Sequence, residues 1–391
     1  MSDSKDFSTL AVHAGDYPDA YGAAVTPLYD TTTFSFSKTS DLLDVVEGRE
    51  QAALYTRYGM NPSITTLEAR LAELDSAESA LAYASGMAAI SSVCMAYGLG
   101  GIVCIGDLYG GTRSFLQNLA PQLGIETQFI DANDEKQLTQ ALKNGCALVF
   151  LETPSNPTLK IIDIATVAVT THRHGAKLAV DNTFATPVNQ QPIALGADFA
   201  VQSATKYLGG HSDLTAGVVT GKTKDLFRIN EWRISLGQTI SADIAHKLKR
   251  SLVTLPLRVA KHNHNAQKVA EFLQQQPQVT KVYYPGLPSN PEQALAIQQM
   301  QGFGGMLSFD VDGGNTAAMQ VVDSLKMIKM APSLGGAETL ATQPITTSHH
   351  GMPADLLDRA GISGAMIRLS VGLESEADII ADLQQALMLI N

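Results

Sequence analysis

A lysine between a short apolar strand and a glycine-rich turn is the residue of this sequence best placed to act as a nucleophile. Lys206 follows the run DFAVQS and precedes Gly209-Gly210. Such a position is poorly solvated, which lowers the pKa of the amine, and a partly neutral amine can attack a carbonyl carbon to form an imine. Ser203 and Thr205 add two hydroxyl groups beside it that could hold a phosphate. Read alone, the same pattern also fits a lysine whose stem packs along the surface.

Several predicted strands of the chain end in polar or reactive side chains. The strands are expected at residues 101–107, 126–131, 146–152, 176–182 and 198–203. Helical segments separate most of them, and this alternation predicts a parallel α/β sheet with helices on both faces. Ligands bind such sheets beyond the carboxyl ends of the strands. Those ends carry Tyr109, Asn156, Asp181 and Lys206, so we expect these residues to form one site.

A serine and a glycine begin a predicted helix ahead of the first of these strands. Ser85, Gly86 and Met87 precede the run AAISSVCMAY, which contains no helix breaker. The free N–H groups and the dipole at such a helix start attract an anion. A Ser-Gly cap is common by itself, but together with Ser203 and Thr205 these residues predict a phosphate-binding cup.

Four segments of the chain resemble the motifs of one enzyme family. They are YTRYGMNP (55–62), ETPSNP (152–157), SATKYLGGHSD (203–213) and RLSVG (368–372). Each is similar to a motif of the trans-sulfuration, or Cys/Met-metabolism, family of pyridoxal-phosphate enzymes, and the resemblance runs from about Ser8 to the C-terminus. It implies pyridoxal 5′-phosphate as cofactor and a fold-type I, transferase-like α/β fold. In that fold a large domain has a mostly parallel sheet, and a smaller α/β domain follows it.

The resemblance also implies roles for the residues at the strand ends. Lys206 would bind the cofactor aldehyde as an imine and move protons between substrate carbons. Tyr109 would stack on the pyridine ring and act as an acid or base. Asp181 would pair with the protonated ring nitrogen and keep the ring an electron sink, and Asn156 would bond the ring's phenolic oxygen. From local sequence alone, Asp181 could also end a strand in an Asx-turn, and Asn156 could belong to a Ser-Asn-Pro turn.

The first sixty residues have little periodic structure and many turn residues, which predicts an extended arm. Arms of this kind usually pack on a neighbouring subunit, and the resemblance implies the same here. Tyr55 and Arg57 would then reach the cofactor phosphate of the adjacent subunit, although Met60 is an insertion relative to the family motif. We therefore expect a homo-oligomer, a tetramer built as a dimer of dimers with shared active sites.

A charged residue interrupts the apolar run MIRLSVG near the C-terminus. Arg368 needs a partner if this run is a buried strand. That partner could be a structural acid, or it could be a substrate carboxylate, as the family's RLSVG motif implies. The run Ser333–Gly336, SLGG, resembles the substrate loop of the family, with Ser333 near both the substrate and the lysine.

Composition changes and breakers divide the chain into three parts. We expect an arm at residues 1–60, a large cofactor-binding domain at 61–250 and a small domain at 251–391. The helix at the start of the small domain should be kinked or interrupted near Pro256. His262 and His264 are two positions apart on it and do not face each other, and the three cysteines show no C-x-x-C spacing. No metal site is expected.

Within the family, the sequence favours chemistry at the γ-carbon of a sulfur amino acid or an activated homoserine ester. The runs APSLGG and FATPVNQ resemble some cystathionine γ-synthases most closely, which places γ-synthase slightly ahead of cystathionine γ-lyase. Gly111 stands where many methionine γ-lyases have cysteine, and Pro332 where many γ-lyases and γ-synthases have glutamate. Methionine γ-lyase, cystathionine β-lyase and O-acetylhomoserine sulfhydrylase stay open. More distant alternatives are an aminotransferase and a cofactor-binding protein without turnover.

Charge and length limit the possible partners. The chain has 391 residues and a formal charge of −11, with a pI near 5.2, which argues against a nucleic-acid or anionic-membrane partner. We expect a small-molecule amino-acid substrate instead. Residues 79–106 carry no charge, but their serines and glycines favour a buried helix and strand over a membrane span. The N-terminal sequence has no apolar or arginine-rich targeting pattern, so we expect a cytoplasmic protein.

Overall fold

A mixed β-sheet forms the centre of the larger part of the chain. The structure, a computed structural model, describes residues 5–16 and 19–390; residues 1–4, 17 and 18 of the predicted arm and residue 391 lie outside the described residues. The strands of the sheet are β1 (Ser79–Tyr83), β2 (Ile102–Ile105), β3 (Thr127–Ile130), β4 (Leu148–Glu152), β5 (Lys177–Asp181), β6 (Phe199–Gln202) and β7 (Gly217–Gly221). Their order is β1-β7-β6-β5-β4-β2-β3. The five neighbouring strands β6, β5, β4, β2 and β3 are parallel to one another. Strand β7 runs antiparallel to both of its neighbours, β6 and β1.

Helices pack on both faces of this sheet. The helices in this part of the chain are α1 (Phe7–His13), α2 (Thr39–Val46), α3 (Pro62–Leu74), α4 (Gly86–Tyr97), α5 (Gly110–Ser114), α6 (Glu135–Lys143), α7 (Ile164–Arg173), α8 (Thr186–Asn189), α9 (Thr223–Ser235) and α10 (Ala242–Leu252). Alternate residues of β4 pack on opposite faces of the sheet. Leu148 and Phe150 belong to the hydrophobic cluster with α4 and α9, whereas Val149 and Leu151 belong to the hydrophobic cluster with α6 and α7. Every residue of β4 is buried, as expected for a parallel strand covered on both sides.

The predicted α/β class and its parallel core are confirmed. The five predicted strands correspond to β2, β3, β4, β5 and β6, each within three residues of its predicted ends. Strands β1 and β7 were not predicted, because β1 lies in the uncharged stretch 79–106 and β7 follows the glycine-rich turn after Lys206. That uncharged stretch folds as β1, α4 and β2. In the described part of the chain, no helix is both long and apolar enough to cross a membrane.

A second, smaller sheet lies in the C-terminal part of the chain. Its strands are β8 (Val279–Tyr283), β9 (Met306–Val311), β10 (Lys329–Met330), β11 (Leu340–Thr342) and β12 (Met366–Ser370), in the order β10-β11-β12-β9-β8. The accompanying helices are α11 (Leu255–Leu273), α12 (Gln293–Gln299), α13 (Gly314–Ser324), α14 (Ala354–Ala360) and α15 (Glu376–Leu387). Near Pro256, α10 ends and α11 begins, with the proline in the first turn, where its missing N–H is tolerated. Apolar side chains of α11, α13 and α15 form one core with this sheet.

Candidate active site

A cavity of about 640 Å³ opens beyond the carboxyl ends of the parallel strands and reaches the second sheet. Most of the predicted site residues line it: Ser85, Gly86, Met87, Tyr109, Asn156, Asp181, Ser203, Thr205, Lys206, Ser333 and Arg368. These residues come from both sheets and from the loops between their elements. Tyr55 and Arg57 do not line this cavity.

Lys206 lies in the turn after β6 with its amine facing the cavity. Its Nζ donates a hydrogen bond to Ser333 Oγ at 2.8 Å. Burial, reinforced by the positive charge of Arg368, lowers the pKa of the Lys206 amine from 10.5 to about 8. The loop that carries Ser333 packs directly on the lysine backbone, since a Cβ on Gly335 would lie 2.6 Å from Tyr207 N. The neutral form of this amine is therefore much more populated near neutral pH than that of an exposed lysine, which favours its action as a nucleophile or base.

The start of α4 forms an anion-binding cup. Ser85 Oγ accepts a hydrogen bond from Ala88 N at 3.1 Å. The N–H groups of Gly86 and Met87 lie in the first turn of the helix and have no intrahelical acceptors. The cup is narrow, because a Cβ on Gly86 would lie 2.8 Å from Ser203 Cβ. Within residues 5–16 and 19–390 the Ser203 hydroxyl has no hydrogen-bond partner, so it is free to donate to a bound anion.

Thr205 is less available to such an anion than Ser203. Its Oγ1 accepts from Ala216 N at 3.0 Å and donates to Ala216 O at 3.2 Å. A hydroxyl group has one donor, and here the backbone occupies it. Thr205 therefore shapes the cup by fixing the turn after Lys206, and Ser203 is the better hydrogen-bond donor to a phosphate.

Two buried carboxyl groups end adjacent strands at the base of the cavity. Asp181 on β5 is 6% exposed, and its Oδ1 accepts from Thr183 N at 3.0 Å. Glu152 on β4 stands opposite Asp181 in the strand register, and its Oε2 accepts from Tyr109 N at 2.8 Å. Burial raises the pKa of both carboxyl groups, and the charge of Asp181 raises that of Glu152 further. Asp181 is placed to pair with a cationic ligand group.

Arg368 connects the second sheet to the first. It lies on β12 with 7% of its surface exposed, and burial lowers its pKa to about 10. One terminal nitrogen donates to Asn156 Oδ1 at 2.9 Å and the other to Ser333 O at 3.2 Å. No carboxylate of the described residues lies within ion-pair distance of the guanidinium, which keeps free N–H groups for an incoming carboxylate. Ser333 has a φ of +103°, a strained conformation of the kind found at functional sites.

Tyr109 lies at the mouth of the cavity with 46% of its surface exposed. It is the first residue before α5, and its ring packs over the turn that follows. A Cβ on Gly111 would lie 2.5 Å from Tyr109 Cε1, so the ring occupies the space a larger residue would need. The position allows contact with both a bound ring and solvent.

Tyr55 and Arg57 lie outside the cavity that Lys206 lines. Arg57 is exposed, its guanidinium packs 4.8 Å from the centre of the Tyr58 ring, and one nitrogen donates to Ile234 O at 2.9 Å.

Several cavity residues were not predicted from the sequence: Ile90, Glu152, Thr183, Phe184, Thr215, Pro332, Leu334, Thr347 and Ser348. Glu152 had a detectable signal, because it is the last residue of the apolar run CALVFLE, as Asp181 is near the end of AKLAVDN. Thr347 and Ser348 had none, since they follow β11 in a turn-rich segment and reach the cavity only through packing.

The donor set fits pyridoxal 5′-phosphate. The start of α4 and Ser203 provide N–H and O–H donors for a phosphate, and the glycine at position 86 is needed for the cup to form. Buried Asp181 lines the cavity, where its carboxylate is suited to a protonated ring nitrogen. The Lys206 amine has the lowered pKa that attack on an aldehyde needs.

Comparisons with known proteins agree with this geometry. The sequence model of the family described as "Cys/Met metabolism PLP-dependent enzyme" matches residues 8–388. The chain is 41% identical over 385 residues to cystathionine gamma-synthase 1, chloroplastic, of Arabidopsis thaliana, covering 97% of this chain and 68% of that one. It is also 41% identical over 386 residues to L-methionine gamma-lyase of Pseudomonas putida, covering 97% of each chain.

A solved structure gives the same result for the fold. Cystathionine gamma synthase from Xanthomonas oryzae pv. oryzae, in complex with aminoacrylate and cysteine, superimposes with a TM-score of 0.93 at 37% identity over 98% of both chains. The expected fold type, the pyridoxal-phosphate cofactor and the enzymatic class are thereby confirmed. The chain belongs to the Cys/Met metabolism family of pyridoxal-phosphate-dependent enzymes.

Proposed function

We propose that this enzyme performs γ-replacement on an activated homoserine ester, a reaction of the cystathionine γ-synthase type. The main support for this proposal is that one cavity has two proton-transfer groups, Lys206 Nζ and the Tyr109 hydroxyl. Arg368, which can bind a carboxylate, lines the same cavity. Chemistry at the γ-carbon needs protons moved at the α- and β-carbons as well as at the leaving group. One base would serve α-proton removal alone, whereas two groups serve both ends of the substrate.

The chain's own residues would bind the substrate and transfer its protons. When bound, pyridoxal 5′-phosphate supplies an electron sink that stabilises negative charge on the carbon next to the substrate amine. Arg368 would bind the substrate carboxylate through its free N–H groups, with Asn156 and Ser333 O holding the guanidinium in place. Lys206 Nζ would remove the α-proton and carry it to or from the β-carbon. The Tyr109 hydroxyl would donate to the leaving group.

Gly111 supports γ-synthase over methionine γ-lyase. A cysteine at this position would bring its Cβ to 2.5 Å from Tyr109 Cε1, so the observed ring position depends on the glycine. Methionine γ-lyase remains the second candidate, because relatives of both names are 41% identical to this chain. Cystathionine γ-lyase, cystathionine β-lyase and O-acetylhomoserine sulfhydrylase chemistry use the same residues and are separated by the experiment below.

Product analysis of the cofactor-loaded enzyme tests the proposal. The purified protein is incubated separately with O-acetyl- and O-succinylhomoserine, each with and without L-cysteine or sulfide, and with L-cystathionine and L-methionine alone. Formation of cystathionine from an ester plus cysteine is the expected result. Methanethiol and 2-oxobutyrate from methionine would show a methionine γ-lyase, and homocysteine from an ester plus sulfide a sulfhydrylase. Cysteine plus 2-oxobutyrate from cystathionine would show a γ-lyase, and homocysteine plus pyruvate a β-lyase.

We further propose that the active sites are shared between subunits of a cytoplasmic homotetramer built as a dimer of dimers. The three-part division at residues 60 and 250 belongs to the same proposal: an arm, a large domain and a small domain. The exposed Arg57, which lies outside its own cavity and pairs with no acid among the described residues, supports the shared site. An arginine next to tyrosines suits phosphate binding in a partner's cup.

Mixed dimers of two inactive variants test the shared site quantitatively. Co-expression of Arg57→Ala with Lys206→Ala chains should restore about one quarter of wild-type activity, because half of the dimers are mixed and each mixed dimer has one intact site. The matched control is co-expression of the double variant with wild-type chains. If sites are shared, only wild-type dimers are active in that control, again about one quarter of the activity. Sites within one chain would instead give no activity in the first mixture and about half in the control.

A further inference from the structure

Glu152 is a buried carboxyl group that the proposed reaction does not use. It is the last residue of β4, it is 5% exposed, and it lines the cavity. The register of the parallel strands places it directly beside Asp181 on β5. Residues paired in this way project from the same face of a sheet. Two carboxyl groups therefore enter the cavity together, and Asp181 is the one suited to the cofactor's ring nitrogen.

One oxygen of Glu152 fixes the backbone of Tyr109. Glu152 Oε2 accepts from Tyr109 N at 2.8 Å. This N–H has no backbone acceptor among the described residues, and it lies where the chain turns from β2 into α5. The Tyr109 side chain is 46% exposed and its ring packs over Gly111, so the hydrogen bond to Glu152 holds the backbone from which this ring projects.

The other oxygen of Glu152 receives no hydrogen bond within the described residues. Withdrawing a carboxylate almost completely from water is unfavourable, and two neighbouring buried carboxylates repel each other strongly. The charged groups that act on Glu152 are Asp181 and Asp107, which oppose its ionisation, and Arg368, which favours it. Burial is the largest influence and also opposes ionisation. One proton for the pair satisfies these conditions.

We propose that Glu152 is a positioning residue that remains a neutral carboxylic acid, holds the Tyr109 backbone and leaves Asp181 as the single negative charge of the pair. The Oε2 atom accepts from Tyr109 N, and a proton on Glu152 removes the charge repulsion with its strand neighbour Asp181. The ring of the cofactor then meets one carboxylate rather than two. Tyr109 keeps its position at the mouth of the cavity.

Substitution of Glu152 by Gln, Ala and Asp tests this role. Gln keeps the shape and neutrality of the protonated acid, with an oxygen that can accept from Tyr109 N. Ala removes the acceptor for Tyr109 N, and Asp withdraws the carboxyl group by one methylene. Two quantities are measured on each variant: the absorbance spectrum of the bound cofactor against pH in the absence of substrate, and kcat and KM with whichever substrate the wild-type enzyme turns over. The spectrum does not depend on which reaction is catalysed.

Glu152→Ala should lower kcat about tenfold, the loss of one buried hydrogen bond to Tyr109, with a smaller change in KM. Its pH-dependent spectrum should shift relative to wild type, and Glu152→Gln should recover most of both losses. If Gln is as defective as Ala in spectrum and kcat, a charged Glu152 is required and the proposal is wrong. If Ala matches wild type in both, Glu152 does not position Tyr109.

Two additional variants provide a replacement for a misfolded Glu152→Ala protein and a control for local charge. If Glu152→Ala does not fold, Glu152→Leu fills the same volume without an acceptor and takes its place in the comparison. Asp107→Asn is the matched control for charge, because it removes a carboxylate that acts on Glu152 without removing the hydrogen bond to Tyr109. A larger effect for Asp107→Asn than for Glu152→Ala would mean that local charge rather than positioning is responsible, and it would overturn the proposal.

Discussion

Lys206 should destabilise the cofactor-free protein, and replacing it by methionine should raise the free energy of unfolding. Methionine has a similar length, no charge and a flexible side chain that fits irregular space. Burial and Arg368 lower the Lys206 pKa from 10.5 to about 8. That change corresponds to about 3 kcal/mol of unfavourable energy for the protonated amine inside the folded protein. Loss of the hydrogen bond to Ser333 Oγ offsets about 1 kcal/mol. The expected net gain near neutral pH is about 2 kcal/mol.

The pH dependence of this gain has a definite sign. The folded-state pKa of Lys206 lies below its unfolded value, so the folded protein binds fewer protons than the unfolded chain between these two values. The penalty is complete below about pH 8 and disappears as the pH rises toward 10.5. The advantage of Lys206→Met should therefore be largest at neutral pH and vanish at alkaline pH.

Urea unfolding of the cofactor-free wild type and Lys206→Met, followed by circular dichroism with refolding checked, measures the difference at neutral and alkaline pH. Lys224→Met is the matched control, because Lys224 is exposed in the first turn of α9 and its replacement removes a lysine without touching the cavity. A Lys206→Met variant less stable than wild type at neutral pH would refute the reasoning. So would a difference that is the same at both pH values, since the penalty would then not come from a desolvated charge.

Two further substitutions test the sheet and the cup. Burial raises the pKa of Asp75 from 3.8 to about 7. Between these two pH values the folded protein keeps the proton that the unfolded chain releases, so the free energy of unfolding falls as the pH rises from 3.8 to about 7. Asp75→Asn should flatten that fall in unfolding free energy, and an unaltered urea-unfolding profile would contradict it. Gly217→Ala would place a Cβ 2.2 Å from Ser85 O and disturb the start of α4. Pyridoxal-phosphate affinity, measured by absorbance titration, should fall about tenfold or more, and wild-type affinity would refute a tight cup.

The positions of the parallel strands were predictable because each is a short apolar run bounded by polar or turn residues. Burial on both faces of a sheet requires such runs, and β4 and β5 show them clearly. The antiparallel strand β7 was not predictable in the same way. Its run GVVTG is short, and its place between β6 and β1 depends on pairing with β1, a strand more than a hundred residues earlier in the chain.

The chemical groups of the site were predictable, but their contacts were not. Lys206, Asp181 and Asn156 each follow or end an apolar run, which is a local property. The hydrogen bond from Lys206 to Ser333 joins residues 127 positions apart, and that from Arg368 to Asn156 joins residues 212 positions apart. Nothing in the spacing of either residue specifies such a distance. These contacts exist because the second sheet packs against the strand ends of the first.

Glu152 has some properties that follow from the local sequence and others that follow from the tertiary structure. That an acidic residue ends β4 can be read from the sequence, because an uninterrupted apolar run defines the strand and its end. That this acid is buried beside Asp181 and bound by Tyr109 N follows from tertiary packing. An apolar run is a property of neighbours along the chain, whereas burial, pKa and hydrogen-bond partners depend on groups brought near by packing. The family chemistry of this protein can therefore be read from its motifs, and the charge state of its site follows from its fold.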